Sequence, residues 1–299
     1  MEHPNVALTP ELMAEIEPPL AAARRRLGHA CPSEFSFANL YLFRAAHRYR
    51  YHPDHWPFIS GVTYDGATHA LPLFDPAEAP AAALAELLAG HDCIYPVAAA
   101  DLAHLDQCVF DARAARDDAD YLYPARQFVD YRGARLRKKR QAVRSMLADR
   151  EIASRALSSA TLDDALAVLQ VWMHDKGKAR GEADEAACRE ALLNAAAFGL
   201  SGQVFYASGD PAGFILTQSF AAQTAVVRFA KGTAACVGIY PYMFQVHCSE
   251  AGDALEWLNF EQDLGNPNFR QTKLSFEPAA LLDKFRVFLR PCGGSLARV

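Results

Sequence analysis

Several signatures of familiar chemistry are missing from this 299-residue chain. Its seven cysteines (31, 93, 108, 188, 236, 248 and 292) are an odd number without a CxxC pair. That usage argues for reduced intracellular thiols and against a disulfide framework. No run approaches the about 18 uninterrupted apolar residues that a membrane span requires. The opening stretch MEHPNVALTPELMAEIEPPL has no basic region ahead of an apolar core, so it does not read as a signal peptide, and cytoplasm is the expected location. There is no Walker loop and no Ser nucleophile elbow. His52-Pro53-Asp54-His55 has Pro in the middle and no third clustered ligand, so no metal is expected there. His247 and Cys248 are neighbours on an apolar helical stretch and diverge by about 100°, which rules against a nucleophile pair. An excess of positive charge is also lacking: 30 Lys and Arg against 35 Asp and Glu leave a net charge of -5. That balance argues against bulk electrostatic binding of nucleic acid but leaves room for a local basic patch.

What is present is enough for a real core, with 51% hydrophobic and 22% charged residues. Thr9-Pro10-Glu11 starts a helix that runs towards Arg26, bent or interrupted at Pro18-Pro19, and stops near Gly28. An aromatic segment, FSFANLYLFRAAHRYRY, gives a short helix leading into a strand. Asp65-Gly66 lies between two apolar runs and marks a hairpin. An Ala-rich helix (80–90) and the strands CIYPV and CVFDA follow. Residues 131–150 read as a basic helix and EIASRAL as a strand. Helices over 161–180 and 184–199, then three strands turning at Ser208-Gly209-Asp210, come next. An apolar helix ending in Gly, the strand EWLNF and a closing strand KFRVFLR complete the chain. Both halves repeat a hairpin, a helix and a further strand, so two units are expected, 1–130 and 131–299, sharing an interface and carrying the site mainly in the second. The fold class is α/β (α+β), with two mixed sheets flanked by helices.

Antiparallel meander, helix, strand is also the order of an acyl-CoA N-acyltransferase (GNAT-type) unit. In that fold the strands splay apart, and a helix N-terminus receives the CoA pyrophosphate. Its usual mark is Arg or Gln, two residues, Gly, one residue, then Gly or Ala. Arg25-Arg26-Leu27-Gly28-His29-Ala30 matches by letter but ends a helix instead of opening one. Gln262-Asp263-Leu264-Gly265-Asn266-Pro267 misses at the last position. No cofactor is therefore expected; a coenzyme A thioester as acyl donor is the alternative.

Three further features belong together: Asp120-Tyr121-Leu122-Tyr123, then Tyr131-Arg132-Gly133 with Arg137-Lys138-Lys139-Arg140, and above all Asn259-Phe260-Glu261-Gln262-Asp263-Leu264-Gly265 with Phe269-Arg270 and Lys273. With FSFANLYLF and Phe229-Ala230-Lys231-Gly232, they resemble the C-terminal domain of phosphatidylglycerol lysyltransferases and their soluble relatives, over roughly residues 35 to 290. The resemblance implies a tandem GNAT-like fold and transfer of an aminoacyl group from aminoacyl-tRNA to an amine or hydroxyl acceptor, either a small molecule or a lipid headgroup. Gln141 stands where the family often has Asn, and no transmembrane region is present, which puts a lipid acceptor in doubt.

Against that background, Glu261 and Asp263 are the candidate catalytic pair. Their spacing of two puts both side chains on one side of an extended segment. There they could receive an α-ammonium or take a proton from an acceptor amine; alternatively, they form a salt-bridge set with Arg270 and Lys273. Asn259, Arg270, Lys273, Lys231, Tyr240 and Tyr123 are candidate substrate-binding residues, with Lys231 able to pair with the acids. Seven of the 13 residues from Arg132 to Arg144 are basic. Arg137, Arg140 and Arg144 share one helical face, with Lys138 and Lys139 beside it, and this run could hold tRNA phosphates. The alternative is a solvated helix face. A GNAT-like binding or regulatory module without catalysis is the third functional reading.

Overall fold

A computed structural model describes residues 5–290. Strand β1 (Val6–Ala7) leads through a 3-10 turn at Pro10–Leu12 into α1 (Met13–Leu27). Of the two readings at Pro18-Pro19, interruption is not the one realised: helix α1 runs on through both prolines. Ile16, Leu20 and Leu27 bury one face of it in the core, and that burial outweighs the backbone hydrogen bonds the prolines forfeit. After α1 come α2 (Phe37–Leu42), α3 (Arg44–His47), β2 (Arg50–His52), the hairpin β3 (Phe58–Val62) and β4 (Thr68–Pro72), α4 (Ala81–Ala89), β5 (Cys93–Ala98) and β6 (Phe110–Ala114). Strand β7 (Asp120–Pro124) and α5 (Arg126–Asp130) end the first series, and the second is α6 (Arg137–Asp149), β8 (Ile152–Ala156), α7 (Leu162–Asp175), α8 (Glu185–Leu193), β9 (Leu200–Ala207), β10 (Asp210–Ala221), β11 (Thr224–Gly232), α9 (Ile239–Ala251), β12 (Trp257–Asn259), α10 (Pro267–Leu274), β13 (Ala280–Leu282) and β14 (Lys284–Leu289).

These strands form two seven-stranded mixed sheets, ordered β1-β2-β3-β4-β5-β14-β6 and β13-β7-β12-β11-β10-β9-β8. The plan is the same in both. An antiparallel meander ends on a strand (β4 or β11) that pairs in parallel with the strand following the next long helix (β5 or β12). Beyond it lie a strand from the other series and then the partner that closes the sheet. This is a tandem GNAT-like α/β fold. Ser208 and Gly209 turn between β9 and β10 with φ of 52° and 92°; glycine takes the second at no steric cost.

Sheet membership does not follow a cut at 130/131. Strand β7 precedes that cut yet lies in the second sheet, and β14, which reads as the closing strand of the second half, lies in the first. The two units therefore exchange strands. Hydrophobic period reveals that a strand exists, but not which sheet edge receives it. Helix α10 is also absent from the pattern of apolar residues, because none of its residues is buried. It starts through Asn266, whose side chain accepts from the amides of Asn268 (2.9 Å) and Phe269 (3.2 Å), with Pro267 at the first position.

Three apolar cores result. One lies on the far face of each sheet, and the largest is shared. The shared core brings Ile16, Leu20 and Phe37–Leu42 against α7, α8 and β9–β11. Every residue of α2 is buried. Among the described residues no helix is long and apolar enough to cross a membrane.

The exchanged strands begin on a buried ion cluster. Lys284, the first residue of β14, donates to Asp120, the first residue of β7 (2.8 Å), to Glu34 (2.7 Å) and to Gln262 (2.7 Å). Lys284, Asp120 and Glu34 are all buried. Removing the cation strands two carboxylates in the interior. Lys284→Met is expected to lower the unfolding free energy by about 3–5 kcal/mol in a denaturant titration; a loss below about 1 kcal/mol would show that the cluster relaxes without its cation.

Candidate functional site

The parallel pair β11 and β12 is short. It runs from Thr224 opposite Trp257 to Val226 opposite Asn259. Strand β11 continues to Gly232, while the chain beyond Asn259 turns away, with Glu261, Leu264 and Gly265 all at positive φ. The strands therefore part, and two charged side chains meet across the opening. Arg228 of β11 is fully buried and donates to Glu261 Oε1, to Gln218 Oε1 (3.0 and 2.7 Å) and to the Ser33 carbonyl (3.0 Å). Asn39 Nδ2 also donates to Glu261 Oε1 (3.3 Å). The Glu261 side chain keeps 18% of its surface exposed, and its Oε2 makes no hydrogen bond among the described residues. One carboxylate oxygen is thus fixed and the other is free to meet a proton or an ammonium.

The backbone of Glu261 is held as firmly. Its amide donates to Asn259 Oδ1 (2.6 Å), and its carbonyl accepts from the Tyr121 amide (3.3 Å) and Lys273 Nζ (3.1 Å). A left-handed φ of 58° in a glutamate costs about 1–2 kcal/mol. Strain of this kind persists where the surroundings over-determine it.

That turn overturns the expectation that Glu261 and Asp263 point to one side of an extended segment. They have separate partners. Asp263 is buried and accepts from Arg270 Nε (2.9 Å) and Nη2 (2.8 Å), the Gly265 amide (2.9 Å), the Tyr121 hydroxyl and Arg116 (3.4 Å). Burial alone pushes its carboxyl up, but Arg270, Tyr121 and Gly265 outweigh burial and hold it at about 2. An acid of that strength is a weak base near neutrality. Arg270 also pairs with Asp117, so Asp263 ties α10 to the segment before β7.

Lys273 of α10 is half-buried as a residue, but its ammonium is enclosed. It donates to the Glu261 and Gln262 carbonyls and lies 5.5 Å from the centre of the Tyr121 ring. Burial lowers its pKa to about 8 against the pull of Glu261, Asp120 and Asp263. Asn259 is buried, donates to Asp120 Oδ2 (3.0 Å) and so joins Glu261 to the Lys284 cluster. In that cluster burial pushes the Glu34 carboxyl up more than Lys284 lowers it, and Glu34 Oε2 has no hydrogen-bond partner among the described residues. Burial would raise Asp120 too, but Lys284, Asn259 and Ser33 hold it below the usual carboxylate range.

The remaining expected residues lie elsewhere or serve other contacts. Lys231 does not pair with Glu261 or Asp263. Its Nζ contacts both oxygens of Asp184 (2.8 and 2.7 Å) and stands 3.8 Å over the Trp172 ring. The Tyr240 hydroxyl accepts from the Gly232 amide (3.1 Å). Tyr123 is packed between Phe128 and Phe260 and donates to the Lys273 carbonyl (2.7 Å), so it supports the site from the core. On α6, Arg140 folds back onto the Tyr131 and Gly133 carbonyls, which removes it from the expected stripe. Lys139 donates to Ser275 (2.7 Å) and lies 3.8 Å over Phe276, bringing α6 beside the end of α10. Arg137, Lys138 and Arg144 are exposed and unpaired among the described residues. Glu34, Asn39, Asp120, Arg228 and Lys284 were not expected. Their signal is a polar or charged residue inside or at the start of an apolar run, as in TAVVRFA for Arg228.

Asp263 gives this arrangement an acid limit. Its carboxyl titrates near 2 when folded against an ordinary 3.8. A lowered pKa stabilises above about pH 4 and is lost as pH falls through about 2, an effect of about 2 kcal/mol. Asp263→Asn should therefore be less stable than the parent at pH 6, with the gap closing towards pH 2; denaturant titrations across that range would show a constant gap if the ion pair is not responsible.

The chain matches the family described as phosphatidylglycerol lysyltransferase, C-terminal, over residues 25–288. A search of curated proteins finds no match. Among solved structures, a conserved protein of unknown function from Bacteroides thetaiotaomicron superposes with a TM-score of 0.78 at 21% identity, covering 97% of this chain and 100% of that one. A C-terminal domain assigned to a lysylphosphatidylglycerol synthetase from Agrobacterium fabrum gives 0.63 at 14% identity, covering 93% and 92%. FemX gives 0.56 at 9% identity, covering 97% and 98%. With the match running through both sheets and across the whole site, the chain belongs to the phosphatidylglycerol lysyltransferase C-terminal family.

Proposed function

We propose that this protein is an aminoacyltransferase that draws on aminoacyl-tRNA and passes the aminoacyl group to an amine or hydroxyl acceptor. The observation that carries the reading is Glu261 at the parting of β11 and β12, held through Oε1 by Arg228 and Asn39 with Oε2 unpartnered among the described residues. The family supplies the reaction class, transfer of an acyl-type group. An aminoacyl ester is already activated, so positioning and proton handling suffice. The acceptor attacks the ester carbonyl, the new C–N or C–O bond forms and the ester C–O bond breaks. Glu261 takes the acceptor's proton, which ends on the released ribose hydroxyl. The exposed Arg137, Lys138 and Arg144 of α6, beside α10, would hold phosphates of the tRNA acceptor stem. A small molecule or a lipid headgroup is the acceptor, with the cytoplasm as the setting. A coenzyme A thioester is disfavoured as donor, because Ser33 and Asn39 of the first series already reach into the strand opening of the second.

Steady-state kinetics separate the two acids. Glu261→Gln is expected to lower turnover by roughly 100-fold or more and to flatten the low-pH limb of the rate profile. Asp263→Asn should keep most of its turnover wherever it stays folded. Full turnover in a folded Glu261→Gln enzyme would move the chemistry elsewhere.

The tRNA contact has its own readout. Arg137→Glu with Arg144→Glu should weaken binding uniformly and make log Kd against log salt shallower by about one unit per lost phosphate contact. Unchanged affinity and slope would make α6 a solvated face.

A further inference from the structure

A second basic feature lies outside this site. An open cavity of about 330 Å³ is lined by Arg44, Arg48, Arg50, Tyr49, Leu8 and two alanines. Among the described residues its lining has three arginines and no acidic residue. Arg44 is committed elsewhere: it holds both oxygens of Glu190 (2.8 and 2.9 Å), donates to the Tyr41 carbonyl (2.6 Å) and lies 3.7 Å over the Tyr41 ring. The other two have no carboxylate partner among the described residues. Arg50 is steered by the neutral Asn5 Oδ1, from Nε (3.1 Å) and Nη2 (2.9 Å). Arg48 is exposed and makes no hydrogen bond or ion pair among the described residues, although its backbone is in the left-handed region with φ of 53°. A glycine would adopt that conformation without strain.

We infer that this cavity binds a small phosphate-bearing anion through Arg48 and Arg50. Three arguments support it. Cavities of about 300–1,000 Å³ suit small ligands. Guanidinium forks match phosphate oxygens bidentately. Arg50 is already oriented by a partner that does not neutralise it, so less freedom is lost on binding. Tyr49 and Leu8, both buried, give the cavity a firm apolar wall against which a sugar or glycerol carbon skeleton can rest. Arg48 and Arg50 do not touch Glu261, so this site is separate from the proposed aminoacyl chemistry. It is nevertheless reached from the same segment, since α3 directly follows α2, which supplies Asn39 to Glu261.

Calorimetric and thermal-shift titrations of the full chain at fixed ionic strength test the inference. The probes are inorganic phosphate, glycerol phosphate and a nucleoside 5′-monophosphate, with chloride as the control. Saturable binding is expected, with a melting temperature that climbs with probe concentration by mass action. Arg48→Gln with Arg50→Gln should weaken it by at least about tenfold, the loss that follows when charge-assisted hydrogen bonds are removed. Transfer activity without added anion should be unchanged in the same variant. Tighter binding of the nucleotide than of phosphate and glycerol phosphate assigns a nucleotide source; the reverse order assigns a small phosphorylated metabolite. The inference is overturned by non-saturable responses, by chloride matching the phosphate probes, or by a double variant that binds as the parent does.

Discussion

The contact between Lys284 and Asp120 is where the two units become one molecule. Each is the first residue of a strand that has left its own series to complete the other sheet. Strand β13 runs into β14 across a single residue, Asp283, and in that step the chain passes from the second sheet to the first. Strand β6 leads into β7 in the opposite direction. Both crossings occur in the interior, where a bare charge is expensive and a well-bonded opposite pair is tolerated. Lys284 has three acceptors, and Asp120 accepts in addition from Ser33 and Asn259, so the cluster is almost completely satisfied. Mispairing the exchanged strands would break all of these bonds together, so the cluster favours one register at the crossing.

The site inherits its rigidity from that crossing. Asn259 donates to Asp120 and accepts from the Glu261 amide, so the strained turn at Glu261 is two hydrogen bonds away from the ion cluster. From the first series, Ser33 and Asn39 reach Arg228 and Glu261 directly. Neither unit alone could hold the carboxylate in place: β11 and β12 provide the opening, and the segment before and within α2 closes its inner end. The crowded run from Glu261 to Lys273 divides its labour accordingly. Asp263 and Arg270 fix α10, Lys273 clamps the turn, and Glu261 retains a free oxygen.

Much of this was legible one residue at a time. Hydrophobic period and turn residues fix the hairpin at Asp65-Gly66, the turn at Ser208-Gly209, the Ala-rich α4 and the apolar α9, because each depends on neighbours in sequence. The segment around Glu261 stands out by its density of charge, and the basic run before Arg144 by its lack of acids. Helix α10 was missed even though Asn266-Pro267 announces its start, since a helix with no buried residue has no apolar stripe to read.

By itself, then, the sequence determined the kinds of elements, their order, and a short region where charge concentrates, because propensity, period and capping act locally. Tertiary structure alone decided which sheet β7 and β14 enter, that Glu261 faces Arg228 while Asp263 is locked by Arg270, and that Lys231 belongs to Asp184. Those pairings join residues such as 34 and 284, or 39 and 261, that only the fold makes neighbours. Long-range electrostatics is set by distance in space, and a linear pattern carries no record of it.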